Sequence, residues 1–132
     1  MTKEADYAVR IVYCITKNNQ RIDAKNIAEQ TSVSLRFSLK ILRKLAVSGI
    51  VKSYKGKNGG YELAKKPQDI SLGDVIRIVD GPYILSRCLH SDTVCDMEVS
   101  ENCGFRKIYS DISKEITEKL DDVTFQSISE MI

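Results

Sequence analysis

Residues 32–64 read SVSLRFSLKILRKLAVSGIVKSYKGKNGGYELA, a pattern that predicts a helix followed by a β-hairpin. Its first part predicts a helix from Leu35 to Ser48, because Ser34 is a good N-cap and apolar residues recur at three- and four-residue spacing. Gly49 suits the left-handed conformation that commonly ends a helix. The residues of this helix that we expect to face inward are Leu35, Leu39, Leu42, Leu45 and Ala46.

The other face of this helix is cationic. Its charged residues are Arg36, Lys40, Arg43 and Lys44. The face contains no acidic residue, whereas a helix face that is merely solvated usually mixes both signs. A shorter predicted helix and a tight turn come directly before it. A helix with an apolar back and a cationic front in this position is typical of a recognition helix that lies in the major groove of DNA.

The end of the stretch predicts a β-hairpin, with strands at Ile50 to Lys55 and Tyr61 to Ala64 joined by the glycine-rich turn Gly56 to Gly60. Lys52, Lys55 and Lys57 could lie along phosphates or reach into the minor groove. A glycine-rich basic turn can also hold a nucleotide phosphate. The turn lacks the G-x-x-x-x-G-K-[ST] spacing of such sites, however, and no helix follows it directly.

Three more helices are predicted from N-cap residues that precede apolar residues at helical spacing. The caps and extents are Thr2 with a helix to about Ile15, Asp23 with Ala24 to Gln30, and Ser71 with a helix to Val79. Thr31-Ser32-Val33 is expected to be the tight turn before the cationic helix.

The expected fold class is mostly α with a small β-hairpin wing, that is, a winged helix-turn-helix followed by a long C-terminal dimerisation helix. We expect a DNA-binding domain at residues 1–82, a cysteine-containing sensor loop at 83–104, and the dimerisation helix with a C-terminal segment at 105–132. The expected DNA contacts are Ser34, Arg36, Phe37, Lys40, Arg43, Lys44, Lys52, Tyr54, Lys55, Lys57, Asn58 and Gly59.

Charge is divided unevenly along the chain. Residues 1–66 carry 14 Lys or Arg against 5 Asp or Glu, net +9, and residues 67–132 carry 6 against 13, net −7. This division favours an anionic partner for the first half, although solvated surface charge is the ordinary alternative. No apolar run reaches the roughly 18 residues of a membrane span, and the first residues lack the hydrophobic stretch of a signal peptide. A cytoplasmic protein is therefore expected.

A long amphipathic helix is predicted to begin at Phe105. The apolar seam of this helix is formed by Phe105, Ile108, Ile112, Ile116 and Leu120. A helix of this kind outside a small domain needs a partner, and in DNA-binding proteins the partner is commonly the same helix of a second subunit. The alternative is that the seam packs on its own chain.

Three cysteines, Cys88, Cys95 and Cys103, lie in a polar stretch that also contains His90. In the cytoplasm such a group indicates metal or redox chemistry rather than a disulfide framework. An iron–sulfur cluster, zinc and a thiol–disulfide switch all remain open. An enzyme with a cysteine nucleophile is disfavoured, because His90 is the only histidine and no oriented triad can be assembled around it. Cys14, on the apolar face of the first helix, is expected in the core.

Ordered motifs run along nearly the whole chain. They are Asp6-Tyr7-Ala8-Val9-Arg10, Ile27-Ala28, Ile41-Leu42-x-x-Leu45, Gly49-Ile50-Val51, Lys55-Gly56-x-x-Gly59-Gly60-Tyr61-x-Leu63-Ala64-x-x-Pro67, Ile70-x-Leu72-x-Asp74-Val75 and Asp80-Gly81. With these motifs the chain resembles the Rrf2 family of winged-helix regulators, whose members include IscR, NsrR, RirA and CymR. The resemblance implies a homodimer joined by the long helix, with the third helix in the major groove and the wing in the flanking minor groove.

The resemblance also bears on the cysteines. Members that bind clusters carry three cysteines between the Asp-Gly segment and the dimerisation helix, and CymR-like members lack them. It therefore implies an iron–sulfur cluster, either 4Fe-4S or 2Fe-2S, held by Cys88, Cys95 and Cys103. Arg106 stands where IscR has its histidine ligand and cannot replace it. NsrR-like members borrow an aspartate from the first helix of the partner subunit, which matches Asp6, and this ligand pattern is the nearest one.

For the fourth ligand, His90 is the second candidate after Asp6, which as a first-turn acid could simply favour the helix dipole. The chain departs from the family pattern in its third helix. Ser38 stands where leucine is frequent, Phe37 replaces the usual tyrosine, and Leu39 stands where IscR has a base-reading glutamate. The operators of IscR are therefore not expected to apply.

The expected function is a DNA-binding transcriptional repressor, controlled by a cluster that responds to nitric oxide, redox state or iron–sulfur status. The alternative is the same regulator with a thiol–disulfide or zinc switch. In both cases the expected partners are double-stranded DNA and a second copy of the chain in a homodimer.

Overall fold

A computed structural model describes residues 1–86, 89 and 103–132 of the chain. The helices are α1 (Lys3–Asn18), α2 (Ala24–Thr31), α3 (Leu35–Val47), α4 (Leu72–Asp80), α5 (Gly104–Asp122) and α6 (Phe125–Met131), and the strands are β1 (Val51–Tyr54) and β2 (Gly60–Leu63). A short 3-10 turn at Pro67–Asp69 leads into α4. The mostly helical fold with a small hairpin is confirmed.

The predicted N-caps hold their helices. The Thr2 hydroxyl accepts the Ala5 N–H at 3.1 Å, and the Ser34 hydroxyl accepts the Phe37 N–H at 3.2 Å. Asp23 caps α2 in the same way, which satisfies backbone donors that have no partner within a helix. At the other end α2 continues one residue further than predicted, to Thr31.

The core lies where α1, α2 and α3 pack together. Its fully buried members include Ile11, Ile15, Ile27, Ile41 and Leu45. One predicted feature of α3 is wrong, because Leu35 and Leu39 are 46% and 44% exposed. The buried face of α3 consists of Ser38, Ile41, Leu42 and Leu45. These residues follow the three- and four-residue spacing of one helix face, and this face is rotated from the stripe that the leucines alone indicated.

The wing is a two-stranded antiparallel sheet in which Val51 pairs with Leu63 and Tyr54 pairs with Gly60. An isolated bridge between Ile22 and Tyr61 extends it, with backbone hydrogen bonds of 3.0 and 2.8 Å. The segment before α2 therefore holds the second strand of the wing to the helical domain.

The C-terminal segment returns to the core as a helix that the sequence pattern did not predict. Phe125 of α6 is fully buried, and its N–H donates to the Ile70 carbonyl oxygen at 3.0 Å. The Leu72 N–H donates to the Val123 carbonyl oxygen at 2.7 Å. The backbone at the start of α4 is thus hydrogen-bonded to the segment that joins α5 to α6.

The predicted seam of α5 is divided. Phe105, Ile108 and Ile112 are 64%, 54% and 37% exposed, whereas Ile116 and Leu120 are half-buried against the rest of the chain. Within the seam, the alternative of packing on its own chain therefore applies to Ile116 and Leu120. Among the described helices, none has the length and hydropathy needed to cross a membrane.

Candidate nucleic-acid interface and cysteine segment

The outer face of α3 presents the predicted cations to solvent. Arg36, Lys40 and Arg43 are exposed, and they lie opposite the buried face that begins at Ser38. Arg36 and Arg43 form no ion pair with any residue that the structure describes. Both guanidinium groups can therefore bind phosphate or a base edge without breaking a described ion pair.

An acid from another helix reaches this face. Glu4 Oε1 of α1 lies 2.8 Å from Lys44 Nζ and 3.9 Å from Lys40 Nζ. The sequence of α3 contains no acid, so the neutralisation of Lys44 is a product of the tertiary fold. Lys44 would have to leave Glu4 before it could contact DNA.

The predicted contact Phe37 is held against α1. Its ring meets the Tyr7 ring edge-on, with centroids 5.4 Å apart, and it is half-buried. The Lys40 ammonium lies 5.5 Å from the Phe37 ring centroid. The ring thus anchors α3 to α1 and supports Lys40 through a cation–π contact.

The wing carries three exposed lysines. Lys52 lies in β1, and Lys55 and Lys57 lie in the turn between the strands. Gly56 has φ of +92°, which favours glycine. A Cβ on Gly59 would lie 2.5 Å from the Tyr54 carbonyl oxygen, so a side chain there would force the turn apart.

Arg21 contacts the wing at two points, and the sequence pattern did not predict this role. Its guanidinium carbon lies 3.4 Å from the centroid of the Tyr54 ring, and its Nη1 donates to the Asn58 carbonyl oxygen at 3.0 Å. The Tyr54 hydroxyl donates to Glu62 Oε1 at 2.6 Å, and this hydrogen bond is the main reason why the pKa of Tyr54 is raised. No local pattern could reveal Arg21, because it lies in a loop far along the chain from both contacts.

Of the predicted metal ligands, Cys88, Cys95 and His90 lie outside the described residues. Cys103 precedes α5 and is half-buried, and its thiol is free. The side chain of Asp6 on α1 is 41% exposed, and its carboxylate lies 2.8 Å from Arg10 Nη2. Within the described ranges, no group of three or more His, Cys, Asp or Glu could hold a metal ion.

The chemistry of the two described candidates suits a cluster. A thiolate is the ordinary ligand of iron–sulfur clusters, and Cys103 offers a thiol that forms no disulfide with another described cysteine. The Asp6 carboxylate is accessible from outside the chain, although it would have to exchange Arg10 for a metal.

Cys14 has the core position predicted for it. It is 6% exposed, and its thiol donates to Gln30 Oε1 at 3.4 Å. Burial raises the pKa of this thiol, while nearby Lys17 opposes the shift. The thiol form is therefore favoured, and Cys14 is unsuited to be a nucleophile or metal ligand.

Comparisons with known proteins identify the family and agree with the fold. The family described as "Rrf2: Iron-dependent Transcriptional regulator" matches residues 1–131. The regulator NsrR of Bacillus licheniformis is 30% identical over 131 residues, which cover 97% of this chain and 90% of that protein. The solved structure of CymR, the global cysteine regulator of B. subtilis, is similar with a TM-score of 0.83 at 25% identity, covering 100% of this chain and 97% of that chain.

A solved structure of IscR from T. potens is also similar, with a TM-score of 0.76 and 26% identity over 98% of this chain and 85% of that chain. The B. licheniformis protein is named an HTH-type transcriptional regulator, and CymR is described as a global cysteine regulator. The chain belongs to the Rrf2 family and is a DNA-binding transcriptional regulator rather than an enzyme.

Proposed function

We propose that the chain is a homodimeric repressor that inserts α3 into the major groove of double-stranded DNA and places its wing in the flanking minor groove. The observation that carries this geometry is the outer face of α3, where Arg36 and Arg43 are exposed without an ion partner among the described residues. In helix-turn-helix proteins the N-terminal residues of the recognition helix contact base edges. Arg36 has that position.

The contact residues proposed for DNA differ in how freely they can act. Arg36, Lys40 and Arg43 would contact base edges or phosphates directly, and Lys44 would do so after leaving Glu4. The wing lysines would bind phosphates. Tyr54 and Asn58 are held by Arg21, so their contribution is to give the wing a fixed shape.

For the dimer, the exposed half of the α5 seam is the supporting feature. Phe105 and Ile108 are more than half exposed, and Ile112 continues the same face. Exposed apolar side chains at helical spacing are typical of a helix that pairs with another. We propose the same segment of a second subunit as the partner. Residues 105–132 would then be the dimerisation segment, separated by the cysteine-containing loop at 83–104 from the DNA-binding domain at 1–82.

We propose that Cys88, Cys95 and Cys103 hold an iron–sulfur cluster, with Asp6 of the partner subunit as fourth ligand and His90 as the second candidate. The support is the number and placement of the cysteines, together with relatives named NsrR and IscR. When bound, such a cluster supplies a site that reacts with nitric oxide or oxidants or is lost when iron is scarce. A cytoplasmic location belongs to the same proposal.

The first turn of α1 offers a physical connection between the two halves of this function. Asp6 lies two residues after Glu4, which contacts Lys44 of α3 at 2.8 Å. The Thr2 N–H donates to Asp80 Oδ2 at 3.0 Å, at the end of α4 where the chain leads toward the cysteines. We propose that a change at the cysteine segment reaches α3 through these contacts at the start of α1.

A second candidate is the same regulator with a thiol–disulfide or zinc switch. It is favoured by the similarity in fold to CymR, since regulators of that kind do not use a cluster. The three cysteines suit either chemistry, since a thiolate is both a metal ligand and the reacting form in disulfide exchange.

Anaerobic purification followed by iron and sulfide assays and native mass spectrometry would test the cluster. We expect iron and acid-labile sulfide in a stable stoichiometry, and their loss when Cys88, Cys95 or Cys103 is replaced by Ser. The matched control is Cys14→Ala, which should keep the cluster. A protein without iron after anaerobic reconstitution would contradict the cluster, and a mass that fits zinc or a disulfide would support the second candidate.

The DNA geometry has a separate test. We expect Arg36→Ala and Lys40→Ala to lose discrimination between specific and random DNA, and Lys55→Ala to weaken binding to all sequences with a smaller salt slope. Equal losses on specific and random DNA for all three variants would contradict the placement of α3 and the wing.

A further inference from the structure

Two leucines stand on the DNA side of the fold rather than in its core. Leu35 and Leu39 are 46% and 44% exposed, and they lie four residues apart in the first two turns of α3. Residues at this spacing are neighbours on one helix face. Together they form a small aliphatic surface that exposes apolar area to water at a cost in free energy.

The surroundings of this surface indicate what covers it. Arg36 directly follows Leu35, Lys40 directly follows Leu39, and Arg43 lies one turn beyond, all of them exposed. The one acid in an ion pair with α3, among the described residues, is Glu4, and it contacts the lysine side of the helix. Two aliphatic side chains beside cationic ones fit a polyanion that also carries an accessible apolar group. Duplex DNA carries such a group at one place.

That place is the C5-methyl group of thymine, which is the apolar feature of the major groove. We infer that Leu35 and Leu39 contact thymine methyl groups, and so select thymine at two positions of each half-site. A leucine offers no hydrogen bond to the polar edge of cytosine or guanine, so these bases would be desolvated without compensation. The inference rests on the proposed insertion of α3 into the major groove and adds the bases it reads there.

The experiment removes the methyl group from the DNA rather than the side chain from the protein. Binding sites are first selected by the purified full chain from a library of random duplexes. Each thymine of the selected site is then replaced by deoxyuridine, which lacks the C5-methyl group alone. We expect about fourfold weaker binding at one or two thymines of each half-site, the factor that corresponds to burying one methyl-sized group.

Protein variants assign the effect to the two leucines. In Leu39→Ala and Leu35→Ala, the deoxyuridine effect should fall below about twofold at one thymine each, while it persists at the other. The matched control is Val47→Ala, because Val47 is 84% exposed in the last turn of the same helix. This variant should keep the deoxyuridine effects of the native chain.

The outcomes separate this inference from the function on which it rests. If every deoxyuridine duplex binds within twofold of the thymine duplex, while Arg36→Ala still loses discrimination, the leucine assignment is overturned and the placement of α3 stands. If no sequence is enriched from the library, both fail. A change of oligomeric state in Leu39→Ala, measured by light scattering, would overturn the inference in favour of a contact between subunits.

Discussion

Helices α3 and α5 are both amphipathic, but they differ in where their apolar faces find partners. The inner face of α3, at Ile41, Leu42 and Leu45, is fully buried within its own chain. The seam of α5 begins with Phe105 and Ile108, which stay more than half exposed. The same spacing of apolar residues therefore builds a domain core in one case and leaves an open surface in the other.

The largest effect is expected from shortening a side chain on the buried face of α3. Leu42→Ala should lower the free energy of unfolding by about 2–5 kcal/mol, because it leaves a cavity in a core that is fully closed. Urea denaturation followed by circular dichroism, at one fixed protein concentration, measures it. Leu39→Ala is the control on the same helix and should cost less than about 1 kcal/mol. Similar losses in both variants would mean that the two faces of α3 contribute equally to the free energy of unfolding.

A charge placed on the exposed part of the α5 seam should disrupt the proposed dimer. Ile108→Glu should weaken the proposed dimer at least about tenfold, because it places a carboxylate in an apolar interface while the monomer keeps its core. Light scattering across a dilution series gives the dissociation constant. Lys114→Glu, at an exposed position of the same helix, serves as the control. A dimer that survives Ile108→Glu unchanged would place the interface elsewhere.

Each helix also buries one serine, and the two should respond with opposite signs. Ser38 Oγ is buried without a hydrogen-bond partner among the described residues. Ser113 Oγ accepts the Leu85 N–H at 2.9 Å and donates to the Tyr109 carbonyl oxygen at 2.7 Å. Ser38→Ala should raise the free energy of unfolding by up to about 1 kcal/mol, and Ser113→Ala should lower it by about 1 kcal/mol. Thermal denaturation of both variants decides the sign, and a loss in Ser38→Ala would show that its hydroxyl has a partner.

The smallest effect concerns the charge on the exposed face of α3. Glu4→Gln should tighten DNA binding by about two- to fivefold and steepen its salt dependence, because it releases Lys44 and Lys40 toward phosphates. Fluorescence anisotropy at several salt concentrations is the measurement. Glu29→Gln, an exposed acid of α2, changes the net charge equally and should have less effect. Equal tightening in both variants would reduce the role of Glu4 to net charge.

Local chemistry made much of this fold predictable. N-caps at Thr2, Asp23, Ser34 and Ser71 act within three residues of themselves, so the starts of four helices could be inferred without the tertiary structure. The wing was predictable for the same reason, because its strands pair across a short glycine-rich turn. The cysteine trio is also visible in the sequence, although two of its members lie outside the described residues.

The amino-acid sequence is therefore sufficient to predict the helix starts, the hairpin, the basic first half and the family. The tertiary structure sets which face of α3 is buried, since a leucine is compatible with both the core and the surface; Ser38 is fully buried, whereas Leu39 is 44% exposed. It also decided the partners of Lys44 and Tyr54, because Glu4 and Arg21 reach them across long separations in sequence. Such contacts depend on how whole elements pack, and no short-range pattern encodes them.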